Sequence, residues 1–295
     1  MRRLMFAVMA AGMLATFSAE AQDKDKGILP KLGLGKPEAR FIVIGDAGTG
    51  GDKQAQIAQQ IVKSNERFAA ELAIMLGDNL YGTERPRDYE KKFERPYKPL
   101  LDKGLKFYAA LGNHDDPNQR FYKPFNMDGE RYYSFKAPKG GVRLFAIDSN
   151  YVDQKQLEWL EKELAASGSD WKIAFFHHPL YSSGGRHGSN TELRDKLEPL
   201  FLKHGVNVVF TGHEHFYERL KPQKGINYFI AGSSAKLRRG DIRNSEMTAK
   251  GFDEGYTFML VEIEGDELRF QTITEKGQMV DSGTIRRNER TTTAK

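Results

Sequence analysis

Three apolar runs in the N-terminal half each stop at a glycine that is followed at once by an oxygen-bearing side chain. Phe41-Ile42-Val43-Ile44 runs into Gly45-Asp46, residues 72–76 into Gly77-Asp78, and residues 105–111 into Gly112-Asn113. Short β-branched and aliphatic runs of this kind read as buried strands. The glycine lets the chain turn out of the sheet. Between the first two runs, Ile57, Ile61, Val62 and Phe68 recur at helical spacing and predict a helix over 53–68. Strand, helix and strand in alternation imply an α/β fold. One Gly-Asp is an ordinary turn. Three at the same position of successive strands place donor oxygens together, outside the carboxyl edge where such sheets bind ligands.

The second half supplies nitrogen in the same way. Residues 171–176 read as a strand that empties into His177-His178-Pro179, and residues 206–210 as a strand that leads to Thr211-Gly212-His213-Glu214-His215. Histidines at i and i+2 on a strand exit fit a metal site, since neutral imidazole is the commonest protein metal ligand; the competing reading is two solvated loop histidines. The chain has no cysteine, which removes disulfides, thiolate nucleophiles and Cys-based zinc sites. Asp46, Asp78, Asn113, His177, His213 and His215 are too many donors for one tetrahedral ion. They suit two adjacent cations bridged by a carboxylate such as Asp78, a pair that can clamp a phosphoryl oxygen and ionise water.

Elsewhere, residues 84–101 predict a short helix and a loop. Residues 132–135 and 142–147 predict a hairpin, and 152–166 and 191–204 predict helices. A Gly/Ser-rich loop over 181–190 carries His187, which reads either as a substrate-facing residue or as a solvated one. Residues 226–231 read as a strand, 236–254 as irregular, and 256–263, 267–274 and 278–285 as a three-stranded meander. At the N-terminus Arg2 and Arg3 precede an apolar stretch and Ala19-Glu20-Ala21, the pattern of a cleaved signal peptide over 1–21. A lead-in over 22–39, one catalytic domain over 40–286 and a disordered tail over 287–295 complete the expected layout, with periplasmic or secreted localisation. The formal charge of +5 is spread through mixed-sign sequence. It favours anionic small molecules over nucleic acid as a specific partner.

The blocks Gly45-Asp46, Gly77-Asp78, Gly112-Asn113-His114-Asp115, His177-His178-Pro179 and Gly212-His213-Glu214-His215 resemble, in order and in their placement at strand ends, the signature of the calcineurin-like metallophosphoesterases. Tyr81, three residues after Asp78, narrows the resemblance to the purple acid phosphatases. Glu218 and Arg219 look like the larger plant-type members, while the length is nearer the small mammalian type. Gly48 stands where the related protein Ser/Thr phosphatases have histidine, which argues against that branch.

The resemblance implies a four-layer α/β/β/α sandwich of two mixed sheets flanked by helices, with the meander in the second sheet. It implies two metal ions, Fe(III) with Fe(II), Zn or Mn. Asp46, Tyr81 and His215 would join Asp78 on the first, and Asn113, His177 and His213 would join Asp78 on the second. His114 and His187 would act on the bound phosphate or leaving group, with Asp115 or Asp116 orienting His114 and His178 a supporting or packing residue. The implied activity is hydrolysis of small phosphomonoesters by metal-bound hydroxide, in a monomer with no membrane attachment after signal removal. A phosphodiesterase or nucleotide hydrolase on the same metals, and a binding protein without turnover, are the alternatives.

Overall fold

In the computed structural model, Leu32 and residues 35–287 are described; the expected signal peptide, most of the lead-in and residues 288–295 lie outside them. β1 (Ala39–Ile44) leads through α1 (Asp52–Phe68) to β2 (Leu72–Met75). The chain continues through α2 (Pro86–Tyr89), a wide helical turn at Glu90–Glu94 and α3 (Arg95–Leu101) to β3 (Lys106–Ala109). Residues 84–101 were expected to be partly loop, yet they are helical from Pro86 onward. The prolines explain both the expectation and the outcome. Pro86 sits in the first turn of α2, where a missing N–H costs nothing. Pro96 cannot bond the Lys92 carbonyl, and the Gln54 side chain donates to that carbonyl instead.

The hairpin β4 (Tyr133–Lys136) and β5 (Val142–Ala146) follows, then α4 (Gln154–Ala166), β6 (Trp171–Phe176), α5 (Thr191–His204) and β7 (Val208–Thr211). After these come β8 (Tyr217–Leu220), β9 (Asn227–Ala231), β10 (Thr248–Phe252), β11 (Thr257–Glu264), β12 (Glu267–Thr274) and β13 (Met279–Arg286). The first sheet has the order β13-β12-β11-β1-β2-β3 and the second β10-β8-β9-β7-β6-β5-β4. The meander therefore completes the first sheet, not the second as expected. β11 pairs antiparallel with the open side of β1, Phe41 opposite Val261. Arg287, assigned to the tail on sequence, is held by bonds to Asp266 and the Ser169 carbonyl.

Alternation along the strands builds the layers. Phe41 and Val43 of β1 face the second sheet and share a core with Phe175, Phe210 and Phe229. Ile42 and Ile44 face the other way, against Ile57, Ile61 and Phe93 of the first helical layer. On the far side Leu160, Leu164, Leu197 and Phe201 of α4 and α5 cover Phe176 and Val209. The result is the expected four-layer α/β/β/α sandwich. β1–β3 run parallel, as do β5, β6, β7 and β9. Their carboxyl ends meet along one seam, stitched by Gly45 N to Ser234 Oγ at 3.2 Å and Ser234 N to the Gly45 carbonyl at 3.1 Å. Among the described residues no helix is long and apolar enough to cross a membrane.

One buried carboxylate fixes α5 to its neighbours. Glu198 accepts from Tyr181 Oη at 2.6 Å, Tyr228 Oη at 3.3 Å and Lys224 Nζ at 2.6 Å. Burial pushes its pKa up, but the donors, Lys224 first, outweigh burial and hold it below the ordinary carboxylate value. With a depressed folded pKa, the unfolded chain takes up the proton first on acidification. Glu198→Gln should cost about 1–3 kcal/mol at neutral pH. In denaturant melts that gap should persist down to about pH 5, near the unfolded value, and close as the pH falls further.

Candidate metal centre

Each donor is set at the seam by the turn that ends its strand. Three of them stand on left-handed backbone that non-glycine residues rarely adopt: Asp46 at φ 55°, Asp78 at φ 52° and His213 at φ 68°. Such strain persists only where surrounding contacts hold it, and it clusters at functional sites. The loops also lie very close together. A Cβ on Gly112 would sit 2.1 Å from Asp78 N, and one on Gly212 2.5 Å from Asp46 Oδ2. The second approach lets His213 N donate to Asp46 Oδ2 at 2.9 Å, tying the two sheets' exits together.

Two groups of donors result. In the first, Asp46, Asp78 and His215 bring ligand atoms within 4.8 Å of one another. Tyr81 Oη donates to Asp46 Oδ1 at 3.0 Å and lies 3.3 Å from His215 Nε2. In the second, His177 Nε2 lies 3.0 Å from Asn113 Oδ1 and 3.1 Å from His213 Nδ1, and His213 Nδ1 is 3.0 Å from the same Asn113 oxygen. Asp78 stands between the groups, its Oδ1 3.4 Å from His177 Nε2.

This donor set fits cations. His177 Nδ1 is 2.9 Å from the Leu76 carbonyl, which can only accept, so Nδ1 carries the ring proton and Nε2 presents a lone pair. Burial, with His178 nearby, holds the His177 pKa well below its ordinary value, so the ring stays neutral. Its lone pair meets an amide oxygen, a second imidazole nitrogen and a carboxylate. One proton relieves one such pair; a cation satisfies all of them. Asp46 and Asp78 are buried, and among the described residues neither has a Lys or Arg ion-pair partner. Burial and the Asp78 charge push the Asp46 carboxyl far above its usual range. Burial lowers His213 to about 2 and His215 to about 4, leaving both as neutral imidazoles fit to ligate. Burial beside Asp46 and Asp78 raises the Tyr81 phenol, so only a strongly polarising cation could take its proton.

His114 and His187 flank the groups. The exposed His114 ring lies 5.1 Å from that of Tyr81, and the exposed His187 ring 4.3 Å from that of His213, centroid to centroid. Asp115 is not engaged with His114. Its carboxylate accepts from Asn79 N and Nδ2, Leu80 N, Gly112 N and Gln119 Nε2, all between 2.8 and 3.1 Å. It clamps the Asp78 and Asn113 turns together, although burial raises its pKa to about 7. The adjacent Asp116 bonds Asn118 N. Glu218 accepts from Ser183 N and Thr248 Oγ1, and Arg219 pairs with Asp281.

Three contributors escaped the sequence reading. Glu214, buried between the two histidines, accepts from Gly188 N at 2.7 Å and so holds the loop of His187. Arg238 lies 3.5 Å from the Glu214 carboxylate. Lys236 places Nζ 4.4 Å from the Tyr81 ring centroid. No periodicity marks them. The carboxylate set between the two histidines of the His-x-His turn was the one visible signal.

Comparison with known proteins agrees with the geometry. A family model described as calcineurin-like phosphoesterase matches residues 39–217. The chain is 24% identical over 300 residues to tartrate-resistant acid phosphatase type 5 of Rattus norvegicus, covering 85% of this chain and 91% of that protein. It is 28% identical over 239 residues to purple acid phosphatase 17 of Arabidopsis thaliana, covering 68% and 70%. The solved structure of purple acid phosphatase PPD1 from yellow lupin seeds superposes with a TM-score of 0.70 at 20% identity, over 86% of this chain and 55% of that one.

The clamp at Asp115 has a measurable consequence. Asp115→Ala should weaken metal binding by about 10–100-fold in titrations of stripped protein, whereas His114→Asn should leave it within about twofold. Equal losses in the two variants would return Asp115 to a role centred on His114.

Proposed function

The chain belongs to the calcineurin-like phosphoesterase family, and from that premise we propose that it is an exported acid phosphatase that hydrolyses small phosphomonoesters at a dinuclear metal centre. The observation that carries the reading is the place of Asp78, common to a carboxylate- and phenol-bearing group on one side and an imidazole and amide group on the other. Asp46, Tyr81, His215 and Asp78 would hold one ion, and Asn113, His177, His213 and Asp78 the other. Bound ions at such a site act as Lewis acids toward a phosphoryl oxygen and bring the pKa of water near 7.

The chain's own residues supply orientation. Asp78 Oδ1 accepts from His114 N at 3.0 Å, which fixes the backbone on which His114 projects. A phosphoryl group lying across the two donor groups would meet His114 on the Tyr81 side and His187 on the His213 side. Both are exposed, as residues that must reach a leaving group need to be. For the metals, the first group offers two carboxylates and a phenol, which favours a trivalent iron. The second offers neutral imidazoles and an amide, suited to Fe(II), Zn or Mn. Export is supported by the Arg2-Arg3, apolar and Ala-x-Ala succession at the N-terminus.

Asp78→Ala and His213→Ala should each lose metal and turnover together, by elemental analysis and release of phosphate from an aryl phosphate. Full turnover by metal-stripped Asp78→Ala would refute a metal-based reaction. Tyr81→Phe should abolish the visible absorption of purified protein while leaving the second ion bound; an active wild type that is colourless with two divalent ions would remove the tyrosinate. A bis-aryl phosphate hydrolysed as efficiently as the monoester would replace phosphomonoesterase by phosphodiesterase.

A further inference from the structure

The sequence makes His178 a supporting or packing residue, and its surroundings give it a more defined job. Its ring lies 4.5 Å from that of His213 and 5.0 Å from that of His177, and one of its nitrogens falls within 4.8 Å of the ligand nitrogens of both. Proximity alone would make it a third imidazole ligand. The hydrogen bonds say otherwise. Ser149 Oγ accepts from His177 N at 3.2 Å and from His178 N at 3.1 Å, which uses both of its lone pairs. Its own hydrogen is left for His178 Nδ1, 2.9 Å away. An Nδ1 that accepts leaves the ring hydrogen on Nε2. A second proton, taken at Nδ1, would leave that hydrogen in place, so Nε2–H is a donor in either charge state. Among the described residues nothing accepts from it, and the side chain is only partly covered.

We propose that His178 is a substrate-binding residue that donates Nε2–H to a phosphoryl oxygen, with Ser149 as the positioning residue that fixes its tautomer. The inference rests on the phosphatase reading above and adds a third histidine to His114 and His187. It also separates two adjacent residues that look equivalent in sequence: His177 presents a lone pair to the donor cluster, and His178 presents a hydrogen. The tautomers are opposite because their Nδ1 partners are opposite, a carbonyl that only accepts and a hydroxyl whose acceptor capacity is already taken.

The test compares wild type with His178→Gln, His178→Asn and His178→Phe in the metal-loaded protein, with inorganic phosphate as the probe. The Gln amide reaches the position of Nε2 and can donate there, whereas the shorter Asn amide reaches only that of Nδ1. Metal content should stay the same in all variants. Phosphate binding by calorimetry should weaken about tenfold in the Phe and Asn variants, KM for an aryl phosphate should rise with it, and Gln should recover most of the loss. Loss of metal from the Phe variant would make His178 a ligand and overturn the proposal, as would unchanged phosphate binding, or equal binding by the Gln and Asn variants if the Phe variant does not fold. Absence of monoester hydrolysis by wild type would instead count against the phosphatase reading, which the variant comparison does not touch.

Discussion

Two buried carboxylates that have no cationic side chain paired with them among the described residues set the terms for the whole structure. Asp46 and Asp78 are about as buried as the core phenylalanines, and the groups facing them are imidazoles, a phenol, two backbone amides and each other. In the apo chain this arrangement is unfavourable. Burial favours the protonated form of Asp46 and the neutral forms of His213 and His215, because a charge that loses water without an opposite charge beside it is costly. The fold keeps the arrangement because its remaining layers supply stability elsewhere, in three separate apolar cores. Bound cations would convert the same groups from a liability into a set of satisfied ligands.

Holding such groups in place takes a rigid frame, and the frame consists largely of backbone donors aimed at side-chain oxygens. Asp115 gathers the Asp78 and Asn113 turns, Asp46 takes the His213 amide, Glu214 takes the Gly188 amide, and Ser149 takes the His177 and His178 amides. Each acceptor ties a loop from one strand exit to a loop from another. The strained φ angles at Asp46, Asp78 and His213 are tolerable because these bonds over-determine the turns. Replacing one acceptor therefore disturbs the spacing of donors that it does not touch.

Much of this was legible in the sequence, for identifiable reasons. The helix over 191–204 and the strand over 171–176 have strong periodicity and clear punctuation, and both occupy those residues in the structure. Most donors at strand exits could be gathered because a glycine before Asp46, Asp78, Asn113 and His213 marked where each strand ended; His177 directly follows the last residue of its strand. The sheet to which the meander belongs was not legible: β11, β12 and β13 satisfy one another locally, and only the free side of β1 decides where they attach. β10 was missed because Lys250 and Gly251 carry little strand preference; it is an edge strand made by backbone pairing to β8. Asp115 was placed beside His114 because the two are neighbours in sequence, but a side chain one residue along a tight turn faces elsewhere, and five donors claim it first.

The two halves of the donor set also differ in a way that bears on the proposed chemistry. The Asp46 side can present two carboxylates and, once deprotonated, a phenolate; the His177 side presents neutral nitrogens and an amide oxygen, with Asp78 its one anion. An ion on the first side meets more negative charge, so a higher-valent ion gains more there than on the second. Lys236 over the Tyr81 ring adds a positive charge to the same side. A cation at that face stabilises a phenolate more than a phenol, and it compensates part of the negative charge gathered there. An asymmetry between bound ions would thus follow from which strand exits carry acids and which carry histidines, and His114 and His187, proposed to face substrate, would inherit that polarity, one beside the phenol and one beside the imidazoles.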